Sequence, residues 1–214
     1  MLSPDEISKS ARFRSPEHRR TFVTAHAALR MLLASYLAIP AESIRLETEQ
    51  RGKPVLAFPS RLKFNMSHGN DAGLFAFSLD CDIGVDLERL GSMENVEEIA
   101  DRFFCPEEAS ELLSLPPGER ETAFLWCWTR KEAYVKALGE GLYEPFDAFR
   151  VSVLRDAPER LIHIRQSATA AQDWSLHDID AIPGYAGALA YKDLPRPVLV
   201  RPLISATELL SAHC

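Results

Sequence analysis

The pattern of apolar and polar positions begins with one long amphipathic helix. Apolar residues between positions 22 and 36 recur near helical spacing. Ser15 and Pro16, which come shortly before them, are typical of an N-cap followed by proline in the first turn. We therefore predict a helix over residues 16 to 38.

Short strand-like runs follow this helix, after a turn at Gly52 and Pro54. In one run Ile83, Val85 and Leu87 alternate with polar positions, which predicts a strand with Asp86 and Glu88 on its open face. The runs predicted to be strands are residues 54–58, 63–66, 73–79, 83–87, 149–154, 160–165, 174–180 and 187–191.

Helical patterns dominate residues 94 to 138. Two prolines and a glycine within residues 114 to 118 break the pattern, and Gly139 and Gly141 end the last helix. The order helix, strands, helices, strands predicts an α+β protein with two related halves. We place these halves at residues 1–85 and 86–214 and expect them to pack closely as one globular unit.

Composition narrows the class of protein. The chain has 214 residues, of which 46% are apolar and 26% charged, which is ordinary for a globular protein. It has no apolar stretch of the roughly 18 residues that a membrane helix needs, and charges occupy the place of a signal peptide's apolar core. The cysteines lack disulfide or zinc-ligand spacing, so we predict reduced thiols and a cytoplasmic location. They are Cys81, Cys105, Cys127 and Cys214.

Charge is distributed unevenly along the chain. The net charge of −7 argues against nucleic-acid binding, which needs a positive surface. Residues 1–30 carry six basic and three acidic residues, so this end can meet an anion, and we place Arg19, Arg20 and Arg30 on or beside the polar surface of the first helix. Residues 94–121 carry nine acids and two arginines, which predicts a solvated helix face.

Acids at two places in the chain form the strongest candidate site. Asp86 and Glu88 share one face of a strand, and Glu132 and Lys136 share one face of a helix. Carboxylates are ligands that Mg²⁺ prefers, with substrate phosphates and waters completing its shell. Three carboxylates and one Mg²⁺ leave a charge of −1, so a bound diphosphate needs cations such as Lys136, Lys53 and the amino-terminal arginines. A polar strand face and a surface ion pair are the simpler alternatives for these residues taken alone.

Ser67 and His68 lie where a strand runs into a turn, in Asn65-Met66-Ser67-His68-Gly69. Backbone N–H groups and a histidine can meet a phosphate at such a place. Adjacent residues rarely have the geometry of a nucleophile and its base, so we do not favour a serine hydrolase.

Five motifs, considered together, form a specific signature of one protein family. They are Gly52-Lys53-Pro54, Phe64-Asn65-Met66-Ser67-His68-Gly69, Gly84-Val85-Asp86-Leu87-Glu88, Arg102-Phe103-Phe104 and Trp128-Thr129-Arg130-Lys131-Glu132-Ala133-Tyr134-Val135-Lys136-Ala137. In this order and at these separations they resemble the 4′-phosphopantetheinyl transferase superfamily, over about residues 10 to 190. The length resembles its Sfp-type subgroup, a monomer of two pseudo-symmetric halves, each a small antiparallel sheet with a packed helix.

The resemblance implies an enzyme that transfers the 4′-phosphopantetheine group of coenzyme A to a serine of an apo acyl or peptidyl carrier protein, with release of 3′,5′-ADP. It implies that Asp86, Glu88 and Glu132 hold Mg²⁺. The base is Glu132, directly or through a water, or Glu88. Lys136 neutralises the diphosphate and the charge on the leaving group.

The resemblance also implies that residues 1–85 hold the nucleotide end of coenzyme A and residues 86–214 the metal and the catalytic helix. Lys53 and His68 are expected at the nucleotide end and its 3′-phosphate. Further candidates there are Arg51, Ser67 and Arg20, and Arg12 and Arg19 compete with Arg20 for the 3′-phosphate.

Family members usually carry one more strand before the segment that resembles residues 3 to 14, and we expect this chain to begin after it. Two rival functions use the same residues. One is a carrier-protein or coenzyme A binding module without catalysis, against which the intact set of three acids and Lys136 argues. The other is a Mg²⁺-dependent phosphohydrolase.

Overall fold

Two long helices, each packed on a small antiparallel sheet, organise the chain. The computed structural model describes residues 1–49, 52–69, 71–139, 144–155 and 157–202, so the predictions for Arg51, Gly141 and Cys214 lie outside the described residues. The helices are α1 (Pro4–Ala11), α2 (Pro16–Leu37), α3 (Val96–Phe103), α4 (Pro106–Ser114), α5 (Pro117–Leu138) and α6 (Ala168–Ala171). The strands are β1 (Leu46–Thr48), β2 (Pro54–Leu56), β3 (Leu62–Gly69), β4 (Ala72–Leu79), β5 (Ile83–Arg89), β6 (Phe149–Val151), β7 (Leu161–Ile164), β8 (Ser175–Asp178) and β9 (Tyr185–Tyr191).

In the amino-terminal half, α2 packs on the hairpin of β3 and β4. Leu29 and Leu33 on α2 meet Phe64 on β3, and all three are buried in one apolar cluster. The predicted helix over residues 16–38 is confirmed, because the Ser15 hydroxyl accepts from an N–H of the first turn and Ala38 ends the helix in the left-handed conformation.

Helix α1 was not predicted from the sequence, although a signal for it is present. The Ser3 side chain accepts from the Glu6 N–H, and the Glu6 carboxylate accepts from the Ser3 N–H at 2.7 Å. This reciprocal capping box is written in the sequence as serine followed three residues later by glutamate. The helix is important because it places the Glu6 carboxylate against Arg30 of α2.

In the carboxy-terminal half, α5 packs on a three-stranded sheet of order β5-β9-β8. Gly84 of β5 makes this packing close, because a Cβ at that position would lie 2.1 Å from the backbone oxygen of Ala133. The neighbouring strand β9 places small Ala188 and Ala190 beside Asp86 and Gly84. The prediction that the acidic face of β5 is open is therefore wrong: α5 covers it, and Asp86 is only 3% exposed.

The two halves meet where β3 lies beside the free edge of β5. The amide oxygen of Asn65 accepts a hydrogen bond of 2.9 Å from the Val85 N–H, so a side chain takes the place of a strand partner. On the other face of β5, Val85 belongs to a buried cluster against which Leu74 and Ala76 of β4 pack. The predicted α+β fold with two halves, each a small sheet with a packed helix, is confirmed.

One prediction about a charged surface is wrong, and a second has one exception. Arg30 is only 2% exposed, because its guanidinium donates to Glu6 at 2.7 Å and to the backbone oxygen of Ile44 at 2.8 Å. The acids of residues 94–121 are exposed or half-buried, as predicted, except Glu108, which is fully buried and pairs with Lys131. In both cases the partner lies more than twenty residues away, which a local charge pattern does not reveal.

The described cysteines, Cys81, Cys105 and Cys127, are buried free thiols, as predicted. The helices between positions 94 and 138 show one further break, at Phe104 and Cys105, where Pro106 starts a new helix. Within the described ranges, none of the helices combines the length and apolar character needed to cross a membrane.

Candidate active site

Three elements bring one polar side chain each to the same point. Lys136 of α5 donates to Asp86 Oδ1 of β5, with 2.6 Å between Nζ and the oxygen. Ser67 of β3 donates to the same oxygen at 2.9 Å, and Lys136 Nζ lies 3.2 Å from the Ser67 hydroxyl. The ion pair of Lys136 is therefore with Asp86, across the packed helix and strand, and the simple alternative of an exposed helix pair with Glu132 is not what the structure shows.

Glu88 and Glu132 complete a set with excess negative charge. Burial, together with the nearby charges of Asp86 and Glu132, raises the pKa of Glu88 to about 7, against the opposing effect of Lys136. Burial and Asp86 likewise raise the pKa of Glu132, again opposed by Lys136. We call Asp86, Glu88, Glu132 and Lys136 the open cluster. Its three acids share one lysine, so it favours the binding of an additional cation.

The second oxygen of Asp86, Oδ2, is buried and has no hydrogen-bond donor within the described parts of the chain. A buried acceptor that lacks a hydrogen-bond donor destabilises the folded state. Together with the all-oxygen chemistry of the three acids, this free acceptor fits a hard divalent cation such as Mg²⁺. Elsewhere in the described residues, Cys105, Glu107 and His163 form a separate set of three potential metal ligands. Their ligand atoms lie within 4.8 Å of one another.

Basic side chains of the amino-terminal half lie near the open cluster. Burial is the largest cause that lowers the pKa of His68, and the nearby charges of His26, Lys136 and Lys9 lower it further, so its imidazole is neutral at pH 7. The rings of His26 and His68 lie 6.4 Å apart, and His26 Nδ1 lies 2.9 Å from a carboxylate oxygen of Glu6. Lys9 and His26 were not among the predicted site residues. The positive charge of residues 1–30 was the sequence signal that could have found Lys9.

Lys53 connects helix α5 to strand β5. Its ammonium donates to the backbone oxygen of Ile83 at 3.1 Å and to that of Lys136 at 2.9 Å. Burial lowers the pKa of Lys53, although Asp82 and Glu49 oppose the effect. This contact positions Lys136 at the end of α5. The role of Lys53 as a ligand of coenzyme A stays a prediction.

Ser67 faces Asp86 and Lys136, so the structure places its hydroxyl at the acidic group. Arg12, Arg19 and Arg20 are all exposed, and the structure does not choose among them for an anion.

Two residues next to Glu132 hold the helix in place, and sequence reasoning assigned them no role. Lys131 is fully buried and donates to Glu108 and to the backbone oxygen of Phe149, both at 2.8 Å. Arg130 is fully buried and pairs with Asp178 through two hydrogen bonds. The signal was the run of four polar residues from Thr129 to Glu132 between the apolar runs 123–128 and 133–135, because a helix buried on both sides of that run cannot expose all four.

Comparison with known proteins identifies the class. The sequence profile of the 4′-phosphopantetheinyl transferase superfamily matches residues 82–190, and that of the 4′-phosphopantetheinyl transferase amino-terminal region matches residues 1–78. The chain therefore belongs to the 4′-phosphopantetheinyl transferase superfamily. The expected family and the expected class of enzyme are confirmed.

Individual relatives cover most of the chain. It is 37% identical to the 4′-phosphopantetheinyl transferase HetI of Nostoc sp. over 181 residues, which are 83% of this chain and 73% of that protein. It is 29% identical to the 4′-phosphopantetheinyl transferase Sfp of Bacillus subtilis over 211 residues, 98% of this chain and 90% of that one. The solved holo-[acyl-carrier-protein] synthase of Thermotoga maritima matches 52% of this chain and 62% of its own, with 19% identity and a TM-score of 0.41.

Proposed function

We propose that this chain transfers the 4′-phosphopantetheine group of coenzyme A to a serine of an apo acyl or peptidyl carrier protein, with Mg²⁺ bound by Asp86, Glu88 and Glu132. The observation that carries the proposal is the open cluster, in a chain of this family: three acids of a strand and a helix lie close enough to shift the pKa values of Glu88 and Glu132, and one buried carboxylate oxygen has no donor among the described residues. Mg²⁺ bound there supplies positive charge to the diphosphate.

The chemistry is a substitution at phosphorus. The serine oxygen of the carrier forms a bond to the phosphorus that carries the pantetheine, and the bond from that phosphorus to the oxygen of 3′,5′-ADP breaks. The serine proton passes to Glu132, directly or through a water, or to Glu88. Lys136 is placed to stabilise the negative charge that develops on the 5′-phosphate of the leaving 3′,5′-ADP, because its ammonium already lies among the acids.

The nucleotide end of coenzyme A is assigned in the same proposal to residues 1–85, and the metal and catalytic helix to residues 86–214. Lys9, His26 and His68 support this division, because they lie near Lys136 of the open cluster. A lysine ammonium and imidazole N–H groups can donate hydrogen bonds to a phosphate. Arg20, Arg51 and Lys53 stay candidates for the same end. The proposal also includes a monomeric enzyme in the cytoplasm that binds neither nucleic acid nor membrane.

The test incubates the protein with coenzyme A, MgCl₂ and a panel of apo carrier proteins, and measures intact masses. We expect at least one carrier to gain the mass of one phosphopantetheine group, with an equal amount of 3′,5′-ADP released, and expect the gain to disappear when EDTA replaces MgCl₂. A panel in which no carrier gains mass contradicts the transfer itself.

Asp86→Asn is the matched variant for the site. It keeps the size of the side chain and removes one of the three negative charges, so we expect transfer to fall at least about a hundredfold. Lys63→Met, at an exposed ion pair away from the open cluster, is the control that keeps wild-type transfer. Near-normal transfer by Asp86→Asn removes Asp86 from the proposal.

A further inference from the structure

A second group of metal-binding side chains lies at the start of α4. Cys105, Glu107 and His163 each place a ligand atom within 4.8 Å of the others. Cys105 is the N-cap of α4, Glu107 is in its first turn, and His163 is on β7. The group therefore connects a helix to a strand hairpin that is distant in sequence. None of its members belongs to the open cluster.

The histidine of this group has an unsatisfied ring nitrogen. His163 Nδ1 is buried and has no hydrogen-bond partner within the described residues. Buried polar atoms are normally hydrogen-bonded, so an unpartnered imidazole nitrogen beside a thiol and a carboxylate points to a ligand. The backbone N–H of Glu107 makes the largest contribution to lowering the pKa of its carboxyl group. This pKa is lowered further by Cys105, Arg150 and His163. The side chains thus already interact as one group.

The chemistry of this group differs from that of the open cluster. Thiolate and imidazole are ligands of Zn²⁺ and related transition metals, whereas Mg²⁺ selects oxygen ligands. Zinc ligands lie about 2.0 to 2.3 Å from the ion, so tetrahedral neighbours are roughly 3.3 to 3.8 Å apart. Side-chain movements of about 1 Å bring a group spaced within 4.8 Å to that geometry.

We propose that Cys105, Glu107 and His163 form a zinc site, with a water as the fourth ligand, which fastens the start of α4 to β7. A thiolate and a carboxylate balance the two charges of the ion, so the site is neutral when occupied. The neighbouring Arg150 keeps its own partner, Glu111, at 3.3 Å. Exposure of Glu107 gives the ion a path from solvent. Burial and the neighbouring Glu108 raise the pKa of the Cys105 thiol to about 12, so the ion itself must displace the thiol proton to solvent.

The probe for this site is Co²⁺, because a cobalt ion bound by a thiolate shows a charge-transfer absorption that oxygen ligands do not give. The whole chain, freed of metal with a chelator, is titrated with CoCl₂. We expect one cobalt per chain to give the thiolate band, in addition to any oxygen-ligated cobalt at the open cluster, and we expect ZnCl₂ to displace it and to raise Tm. Absence of a thiolate band in the wild-type protein overturns the proposal.

Matched variants assign the ligands. Cys105→Ser is expected to lose the band, whereas Cys81→Ser, at another buried thiol, is expected to keep it. Asp86→Asn is expected to keep it as well, which separates this site from the open cluster. A band that persists in Cys105→Ser contradicts the assignment.

Glu107→Gln and His163→Gln guard against a failure of Cys105→Ser to fold. Glu107 is exposed, so its substitution leaves the core intact. We expect each variant to weaken cobalt binding at least about tenfold. Unchanged binding in both also overturns the proposal, and unchanged circular dichroism shows that any loss is not unfolding.

Discussion

Helix α5 carries two kinds of charged residue within seven positions, and they behave differently. Arg130 and Lys131 form closed pairs, with Asp178 and Glu108 respectively. Glu132 and Lys136 belong to the open cluster. In the closed pair of Lys131, the ammonium also binds a backbone oxygen, and Glu108 also accepts from the N–H groups of Cys105 and Val151. Every group there is satisfied by the protein itself.

The open cluster lacks this completeness. Three carboxylates share the single ammonium of Lys136, and Asp86 Oδ2 has no donor in the described structure. A fold that needed only stability would have no reason to gather one buried and two half-buried carboxylates around a single ammonium. The contrast shows that neighbouring residues of one motif have different roles. The closed pairs hold α5 in place, whereas the open cluster keeps a buried acceptor, Asp86 Oδ2, without a donor among the described residues.

The largest effect on stability is expected where a closed pair is broken. Lys131→Met leaves Glu108 buried without its cation, so we expect the free energy of unfolding to fall by about 3 to 5 kcal/mol. Urea titration measures this loss. Lys63→Met is the control, because it removes an exposed pair of 3.4 Å and is expected to cost less than about 1 kcal/mol. If Lys131→Met also lowers the free energy of unfolding by less than about 1 kcal/mol, the structural role of the closed pairs is contradicted.

A smaller effect is expected where α5 rests on β5. Gly84→Ala places a Cβ where only 2.1 Å separates it from the Ala133 oxygen, so α5 must move away from the strand. We expect a loss of about 1 to 3 kcal/mol in the free energy of unfolding, together with slower transfer, because Glu132 and Lys136 move with the helix.

Gly91→Ala is the matched control for this substitution, since a Cβ there has no neighbour within 4 Å. Equal stability and equal transfer in the Gly84 and Gly91 variants would show that the close packing of α5 is not needed.

A third effect depends on pH and concerns an ion pair in the other half, between Glu6 and Arg30. Burial alone would raise the pKa of Glu6, but hydrogen bonds from His26, the Ser3 N–H and Arg30 overcome it and lower the pKa from 4.5 to about 2. The ionised carboxylate therefore stabilises the fold above about pH 4.5, and this contribution is lost as the pH falls towards 2.

Unfolding free energies of wild type and Glu6→Gln between pH 6 and 3 test this effect. We expect a difference on the order of 2 kcal/mol at pH 6 that narrows as the solution becomes more acidic. A difference that stays constant over this range means that Glu6 is not held ionised by its partners.

The open cluster was predictable from the sequence, whereas the closed pairs were not. Asp86 and Glu88 share a strand face, and Glu132 and Lys136 share a helix face, so local spacing set their directions. Lys131 and Glu108 are 23 residues apart, and Arg30 and Glu6 are 24 apart. Their burial depends on how separate helices pack. A charged run without its distant partner has the same pattern as a solvated surface.

The same limit explains the face of β5. Alternation correctly placed Asp86 opposite the apolar residues, but what covers that face is set by Gly84 and the alanines of β9, which admit a helix. Lys9 and His26 reach His68 through the packing of α1 and α2, which local spacing does not contain.

The most direct test of the division within α5 is Glu132→Gln, measured for both transfer and stability. The substitution removes one charge from the open cluster and leaves Lys131 and Arg130 in their closed pairs. We predict that kcat/KM for carrier modification falls at least about a hundredfold, while the free energy of unfolding stays within about 1 kcal/mol of wild type or rises. Near-normal transfer combined with a large loss of stability would contradict the account.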